Sequence, residues 1–201
     1  MESTDDGWAL EGTLHVPSHC LAPVVEWIQF MRFSSVIICE GERFEKSGYS
    51  NRYRIAAANG PLLLTIPVVG GRAVRKPVAE VSVCYEHDWR RQHVRSWKAA
   101  YGKSPFFLYY GDELIAELCS GEKNLAVLNR KLLLCCLRLL DLKINLTFSN
   151  EPLPKAKVNE PIMVRPYRQV FATRFGFLSN MSIIDLLFNM GPDAVTYLFR
   201  Q

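Results

Sequence analysis

Apolar and polar residues follow one another in blocks that predict short strands and amphipathic helices. Residues 13–16 alternate and stop at Pro17, which predicts a first strand. Pro23 suits a first helical turn, and the helical pattern continues to about Phe33. The β-branched run over 36–39 predicts a buried strand. These elements form a βαβ-like start, in which the loops after both strands open on one edge of the sheet, where open α/β sheets bind ligands.

The remaining pattern predicts a hairpin and several helices. Residues 62–69 and 78–85 are strand-like and are separated by a flexible basic connection, which predicts a central hairpin. Prolines crowd residues 149–166, so we expect a mobile surface excursion there. The fold class that follows is α/β, a single domain over 13–201 with a mixed sheet, packed helices and a flexible N-terminus over 1–12. Helices are predicted over 88–101, 107–118, 125–140 and 182–189, and a late strand over 144–148.

Composition narrows the class of protein. With 201 residues, 49% of them apolar, the chain can build one substantial core. A formal net charge of +4 is small for a protein held mainly by nucleic-acid phosphates, so a small anionic ligand is the better expectation. Six cysteines without a C-x-x-C pair and an acidic N-terminus without a secretory pattern indicate a cytoplasmic protein. The apolar stretch over 125–142 is interrupted by polar and charged residues and predicts no membrane span.

Several familiar chemical motifs are missing from the sequence. It has no glycine-rich dinucleotide fingerprint after a strand, no P-loop and no G-x-S-x-G elbow. The histidines show no spacing that specifies zinc. We therefore expect neither a cofactor nor a bound metal.

His93 is a candidate for acid–base chemistry. It lies four residues from both Trp89 and Trp97, so the three side chains project from one face of the predicted helix. An exposed imidazole there would act as a general base or bind an anion near neutral pH. The alternative is a packed aromatic face with one hydrogen-bonded histidine.

Asn51, Arg52 and Arg54 are candidates for binding an anion. Two arginines at a spacing of two lie on one side of an extended chain, and their planar donors suit phosphate or carboxylate. Ordinary ion pairing with nearby acids is the alternative. Glu40, at the end of a predicted strand, is placed to orient an amine or a sugar hydroxyl.

The loop after the first strand holds Ser18, His19 and Cys20. A thiol beside an imidazole can be activated for acyl transfer. Adjacent residues of an extended chain point to opposite sides, however, so this pair needs a partner from elsewhere. Ser18 and His19 are candidate substrate contacts, as are Tyr101 and Lys103 near a helix exit, although a helix C-terminus repels anions and Tyr101 is more typical of a core.

Four ordered motifs carry a resemblance to a known family. The motifs are Glu40-x-Glu42-x-Phe44-x-Lys46-x-x-Tyr49-x-Asn51-Arg52-x-x-Ile55; Asn59-Gly60-Pro61-Leu62-x-Leu64-x-Ile66-Pro67; Asp88-Trp89-x-x-x-His93 with Tyr101-Gly102-Lys103-Ser104-Pro105-Phe106-Phe107; and Tyr167-x-Gln169-Val170-Phe171 followed by Phe175-Gly176-Phe177-Leu178-x-Asn180-x-Ser182-Ile183-Ile184-Asp185-Leu186-Leu187-Phe188-Asn189-x-Gly191-Pro192. Together they resemble the WbqC-like family of bacterial polysaccharide gene clusters over about residues 17–198, and the C-terminal motif looks most like its Bacteroidetes-type branch.

The resemblance implies a transferase that moves a glycine-type acyl or aminoacyl group onto a sugar or related metabolite during O-antigen-like polysaccharide synthesis. The partners would be a small anionic metabolite or an activated acyl or sugar donor. On this interpretation His93 is the acid–base group, Glu40 orients the acceptor, and Arg52 and Arg54 bind an acidic group.

The resemblance also leaves alternatives open. Aligned on Pro23, the chain does not match the histidine that many family members carry before the first helix, so His15 or His19 replaces it from a shifted position, or the chemistry has changed. A non-catalytic anion-binding or scaffolding protein is the second interpretation. A homodimer formed through the aromatic helix or the C-terminal segment is the third.

Overall fold

The chain begins with a parallel βαβ unit in the computed structural model, which describes residues 12–154 and 162–201. Strands β1 (Thr13–Pro17) and β2 (Ser35–Cys39) pair in parallel, with Leu14 opposite Val36, and helix α1 (Val24–Phe30) connects them. Strand β5 (Leu146–Ser149) pairs in parallel with the other side of β2. The strand order is β1–β2–β5, so β2 is central. The predicted βαβ start is confirmed.

A central hairpin is present, but one of its strands differs from the prediction. Strands β3 (Arg52–Ala57) and β4 (Gly60–Thr65) form an antiparallel ladder. Gly60 has a φ of 100°, which favours glycine and sets the tight turn. The predicted second arm over 78–85 is instead a short 3-10 turn (Val78–Glu80) followed by isolated bridges. Its buried valines explain the strand-like pattern, because they pack into the core without a continuous ladder.

The five strands of the described residues form two separate sheets, the three-stranded parallel sheet and this two-stranded hairpin. The sequence predicted a single mixed sheet instead. The α/β class of the domain is confirmed. The helices after the hairpin are α2 (Trp89–Tyr101), α3 (Phe107–Leu118), α4 (Leu125–Leu139), α5 (Ala172–Phe175), α6 (Ile183–Met190) and α7 (Asp193–Phe199). Helices α2, α3, α4 and α6 begin and end within about two residues of the predicted bounds, whereas α5 and α7 were not predicted.

Helix α6 lies at the centre of the core. Every residue from 183 to 189 is buried, as expected of a helix surrounded by other elements. The backbone N–H of Ser182 donates to the Arg54 carbonyl at 2.9 Å, and that of Ile183 donates to the Ala22 carbonyl at 3.0 Å. The start of α6 therefore connects the hairpin to the loop that follows β1.

Two predicted mobile regions fall largely outside this description. Residues 1–11 of the predicted flexible N-terminus and residues 155–161 of the predicted proline-rich excursion lie outside the described residues. Within 12–154 and 162–201, no helix combines the length and the apolar character needed to cross a membrane.

Candidate functional site

A small cavity lies where the three parallel strands end. The loops after β1 and β2 meet there, since the Ser18 N–H donates to the Cys39 carbonyl at 3.2 Å. The free space is about 20 Å³, room for about one water molecule or one small polar group. Its wall is formed by α1, the middle of α4, the loop after β1, and single residues of β2 and β5; the polar side chains in it belong to Ser18, His19, Glu26, Trp27, Asn129 and Arg130.

His19 and Glu26 form an imidazole–carboxylate pair in this wall. His19 Nδ1 lies 2.7 Å from Glu26 Oε2, and the two side chains are only 17% and 11% exposed. Burial disfavours the charged imidazole, but the charge and hydrogen bond of Glu26 outweigh it and raise the pKa of His19 above its ordinary value. When Nδ1–H donates to the carboxylate, Nε2 is the atom that accepts a proton. The pair therefore has the arrangement of an oriented general base.

Two buried polar atoms of the cavity wall lack a hydrogen-bond partner among the described residues. They are Trp27 Nε1, a donor, and Asn129 Oδ1, an acceptor. The Asn129 amide is held by its nitrogen, which donates to the Ser50 carbonyl at 2.8 Å and to Ser18 Oγ at 3.3 Å. Each buried unpaired group costs about 1–3 kcal/mol. A ligand hydroxyl or amine that reaches these atoms would recover part of that cost.

Glu40 is held in an ion pair. Arg130 donates from Nη2 to Glu40 Oε2 at 2.6 Å and from Nε to Oε1 at 3.3 Å. The Glu40 side chain is 3% exposed, and the Arg130 guanidinium lies 4.3 Å from the centroid of the Phe148 ring. Because both carboxylate oxygens are engaged, the geometry favours a role for Glu40 in fixing Arg130 at the cavity wall over direct contact with an acceptor.

His93 lies in the aromatic core under the hairpin and does not line the cavity. Its Nδ1 is 2.9 Å from the Tyr53 hydroxyl, and its Nε2 is 3.2 Å from the Thr65 carbonyl. Burial lowers the pKa of His93 to about 4, so the ring is neutral near pH 7. With 1% exposure and both nitrogens engaged, the geometry favours the packed alternative over an exposed acid–base group.

The segment predicted to bind an anion is strand β3. Arg52 and Arg54 share its outer face, because Tyr53 and Ile55 point into the core. Arg52 Nε donates to the Gly48 carbonyl at 3.0 Å, and no carboxylate within the described ranges lies within salt-bridge distance of either arginine. The expected alternative of ion pairing with nearby acids is therefore not observed within those ranges.

The other predicted contacts are dispersed. Asn51 is buried and donates to the Ile66 carbonyl at 2.7 Å. The Tyr101 hydroxyl donates to Asp185 Oδ1 at 2.9 Å, deep in the core. Lys103 is exposed just after α2. Cys20 is fully buried and burial raises the pKa of its thiol, so its geometry does not favour the thiolate nucleophile considered from the sequence.

Comparison with known proteins gives the family. The model of the WbqC-like protein family matches residues 20–164. The chain belongs to the WbqC-like protein family. The resemblance is thereby confirmed at the family level for the first three motifs, which lie within the matched residues, whereas the C-terminal motif lies beyond them. The uncharacterized protein Rv1507c of Mycobacterium tuberculosis is 26% identical to it over 204 aligned residues, which cover 81% of this chain and 86% of that protein. No solved structure matches the chain.

Besides Trp27, three polar residues of the cavity wall in this WbqC-like protein were not predicted from the sequence. Glu26 lies in the apolar helix α1, and Asn129 and Arg130 lie in the middle of the apolar helix α4. The signal that could have found them is a polar side chain inside an apolar helical stretch, because such a side chain needs a buried partner.

Proposed function

We propose that this WbqC-like protein is a transferase that moves a small acyl or aminoacyl group onto an amine or hydroxyl of a sugar-like acceptor. One observation carries the proposal: the His19–Glu26 pair lies in the same cavity wall as two unpaired buried polar atoms, at the carboxyl edge of the parallel sheet. We place this transfer in surface-polysaccharide synthesis because the resemblance to the WbqC-like family implies that role.

His19 is the proposed general base. Its Nε2 takes the proton of the acceptor amine or hydroxyl while the acceptor atom attacks the acyl carbonyl of a thioester or ester donor. The bond from carbonyl carbon to acceptor forms, the bond to the leaving group breaks, and His19 returns the proton to the leaving group. Glu26 keeps Nδ1–H in place and stabilises the imidazolium that forms.

Asn129 and Trp27 are the proposed orienting groups. Asn129 Oδ1 accepts a hydrogen bond from the acceptor hydroxyl or amine, and Trp27 Nε1 donates to an oxygen of that same reacting end. The free space of about 20 Å³ admits one such group, so only the reacting end of a substrate enters the cavity. Two fixed partners would hold that end for reaction.

This proposal moves the acid–base role from His93 to His19. Both nitrogens of His93 are engaged in the core, whereas Nε2 of His19 has no hydrogen-bond partner among the described residues. His19 is also our candidate to replace the family histidine that this sequence does not match, because it lies in the loop where the family places that residue.

The test is an acyl-transfer assay on wild type, His19→Gln and Glu26→Gln, with acyl and aminoacyl thioesters, amino sugars and sugar nucleotides, read by the mass of the modified acceptor. His19→Gln should lose about 100-fold or more of the rate. Glu26→Gln should be slower and should move the acidic limb of the pH profile to lower pH, because Glu26 raises the pKa of His19. His87→Gln, an exposed histidine, is the matched control. Full activity in His19→Gln would refute the proposed base.

A non-catalytic small-anion-binding protein is the second candidate function. The small volume of the cavity favours it, because a substrate must displace side chains to enter beyond its reacting end. In that case no acyl donor is consumed, and His19→Gln retains both ligand binding and any cellular phenotype.

A further inference from the structure

We infer that a second site, an open groove lined by residues 43–47, Arg52 and Arg75, binds the diphosphate of a nucleoside diphosphate ester. Such an ester would be the donor or the acceptor of the transfer proposed above, and to that extent the inference rests on the proposed function. Three properties of the groove support this inference: its backbone frame, its charge and its size.

The frame of the groove comes from three segments held by backbone bonds. Arg43 forms an antiparallel bridge with Pro77, and the Phe44 N–H donates to the Lys76 carbonyl at 2.9 Å, so this register places Arg75 across from Glu45. Phe44 is 5% exposed and anchors the first segment in the core. Arg52 projects from β3, where its Nε bond to Gly48 fixes the base of its guanidinium. The cations therefore project from an ordered frame.

The charge of the groove is strongly positive. Of the residues that the structure describes, Arg43, Lys46, Arg52 and Arg75 line it together with one carboxylate, that of Glu45, so basic side chains outnumber acidic ones even when Arg75 is left out of the count. Among the described residues, no carboxylate lies within salt-bridge distance of Arg43, Lys46 or Arg52. Like charges that share a groove repel one another, and an anion that binds between them relieves the repulsion. The groove is thus suited to a ligand with more than one negative charge.

The size and donor type point to a diphosphate ester. The groove has a volume of about 660 Å³ and is open to solvent, so it has room for a nucleotide-sized ligand that stays partly in water. Guanidinium groups bind phosphate oxygens in a planar, two-bond geometry. Nucleic acid fits the groove less well, because the whole chain carries a formal net charge of only +4.

The chain connects this groove directly to the cavity. Gly48 accepts the hydrogen bond of Arg52, and the next residue, Tyr49, packs edge-on against His19 with ring centroids 5.8 Å apart. The Arg54 guanidinium lies 5.9 Å from the centroid of the same Tyr49 ring. A ligand held by its diphosphate in the groove would extend past Tyr49 to place its reacting end near His19.

Two classes of substrate share this diphosphate chemistry. A nucleotide sugar carries it next to the acceptor sugar, and coenzyme A carries it between adenosine and the acyl-bearing arm. Isothermal titration with UDP, ADP, coenzyme A and UMP separates them. Tighter binding of UDP than of ADP and coenzyme A would assign the groove to a sugar nucleotide, and the reverse order would assign it to the acyl donor.

The groove residues are tested with Arg43→Ala, Lys46→Ala and Arg52→Ala. Each should weaken binding of the preferred diphosphate about tenfold, equivalent to about 1.4 kcal/mol, and UMP should bind more weakly than UDP. Arg95→Ala removes an exposed arginine of α2 outside the groove and should bind like wild type. Binding should also weaken as salt rises, because the cations are exposed. Circular dichroism checks folding, and the exposed Arg43 and Lys46 keep the test valid if Arg52→Ala is unstable.

Several outcomes would overturn the inference. They are dissociation constants weaker than about 1 mM for all three diphosphates, equal binding by wild type and the groove variants, or binding of single-stranded RNA without binding of a nucleoside diphosphate. His19→Gln should bind the diphosphate like wild type. Diphosphate binding through the groove without acyl transfer would refute the proposed function alone, whereas transfer between unphosphorylated substrates that ignores the groove variants would refute the groove alone.

Discussion

The surroundings of His19 and His93 shift the pKa values of the two imidazoles in opposite directions. His19 faces the Glu26 carboxylate, whose charge and hydrogen bond overcome burial and raise the pKa of the imidazole. His93 faces the Tyr53 hydroxyl and the Thr65 carbonyl, and burial lowers its pKa to about 4. The Glu26 carboxylate therefore favours the charged form of one ring, whereas burial favours the neutral form of the other, and the stability of the protein should respond to pH in opposite directions at the two positions.

His93 provides the clearer test of this contrast. Its folded pKa of about 4 lies below the ordinary value of 6.5, so its contribution to stability is present above pH 6.5 and is lost as pH falls towards 4. Replacing it in His93→Gln should remove a pH-dependent part of the unfolding free energy on the order of 3 kcal/mol across that window. Urea unfolding at a series of pH values measures it.

His87→Gln, at an exposed histidine, is the control for this measurement and should keep the pH dependence of wild type. If His93→Gln loses stability on acidification as steeply as wild type does, the buried neutral imidazole is not the cause. The His93 interpretation would then have to return to an accessible, titrating ring.

At the scale of elements, β2 and β5 approach very closely where they reach the cavity. Glu40 follows β2 and its N–H donates to the Ser149 carbonyl at 2.7 Å. A Cβ atom placed on Gly41 would lie 1.9 Å from the Asn150 carbonyl oxygen. The absence of a side chain at Gly41 is therefore what allows the strand ends to meet and Glu40 to remain paired with Arg130.

Gly41→Ala should accordingly separate these strand ends. Overpacking of this kind costs about 1–3 kcal/mol, and it falls on backbone atoms that cannot rotate away. We expect a lower unfolding free energy in urea, and weaker activity if the His19 cavity is the active site. Gly48→Ala is the comparison and should cost less, because its Cβ would lie 3.3 Å from the Glu45 carbonyl oxygen, a tight contact that a shift of a few tenths of an ångström relieves. Equal stability of the two variants would contradict the close-approach argument.

Local contacts could be predicted from the sequence, whereas contacts between distant parts of the chain could not. Helices α2 and α4 have the predicted positions because their signals are local, such as the Asp88 side chain that accepts from the Arg91 N–H. The wall of the cavity depends on contacts that spacing does not encode, since Asn129 reaches Ser18 and Arg130 reaches Glu40 from about half the chain away. The hairpin was misassigned in part for a similar reason, because buried valines look alike in a strand and in an irregular core segment.

At the scale of the whole molecule, one buried carboxylate joins separate parts of the chain. Asp185 on α6 is fully buried and accepts from the Tyr101 hydroxyl at 2.9 Å, the Tyr167 hydroxyl at 2.6 Å and Gln169 Nε2 at 2.7 Å. The Tyr101 oxygen in turn accepts from the Ala56 N–H at 3.2 Å. Helix α2, the hairpin, α6 and the segment before α5 thus share one hydrogen-bond network. Loss of one donor should therefore lower the unfolding free energy of the whole domain.

Tyr167→Phe tests that network because it removes one donor and little volume. A hydrogen bond to a charged group is worth about 1.5–3 kcal/mol, so the unfolding free energy should fall by about that amount. Tyr109→Phe, at a tyrosine that is 70% exposed, is the control and should be nearly neutral. Tyr101→Phe combined with Tyr167→Phe should be non-additive, since both hydroxyls serve one carboxylate. Additive effects would mean that the two hydroxyls act independently.

The pH dependence of this variant tests the network further. Burial raises the pKa of Asp185, and the Tyr167 hydroxyl opposes that rise by stabilising the ionised form. Because the folded pKa lies above the ordinary value of 3.8, protonation of Asp185 favours the folded state, and this contribution is lost as pH rises through the folded pKa. Removing Tyr167 raises the folded pKa further, so Tyr167→Phe should lose more stability at neutral pH than near pH 4. An equal loss at both would mean that the hydroxyl contributes packing alone.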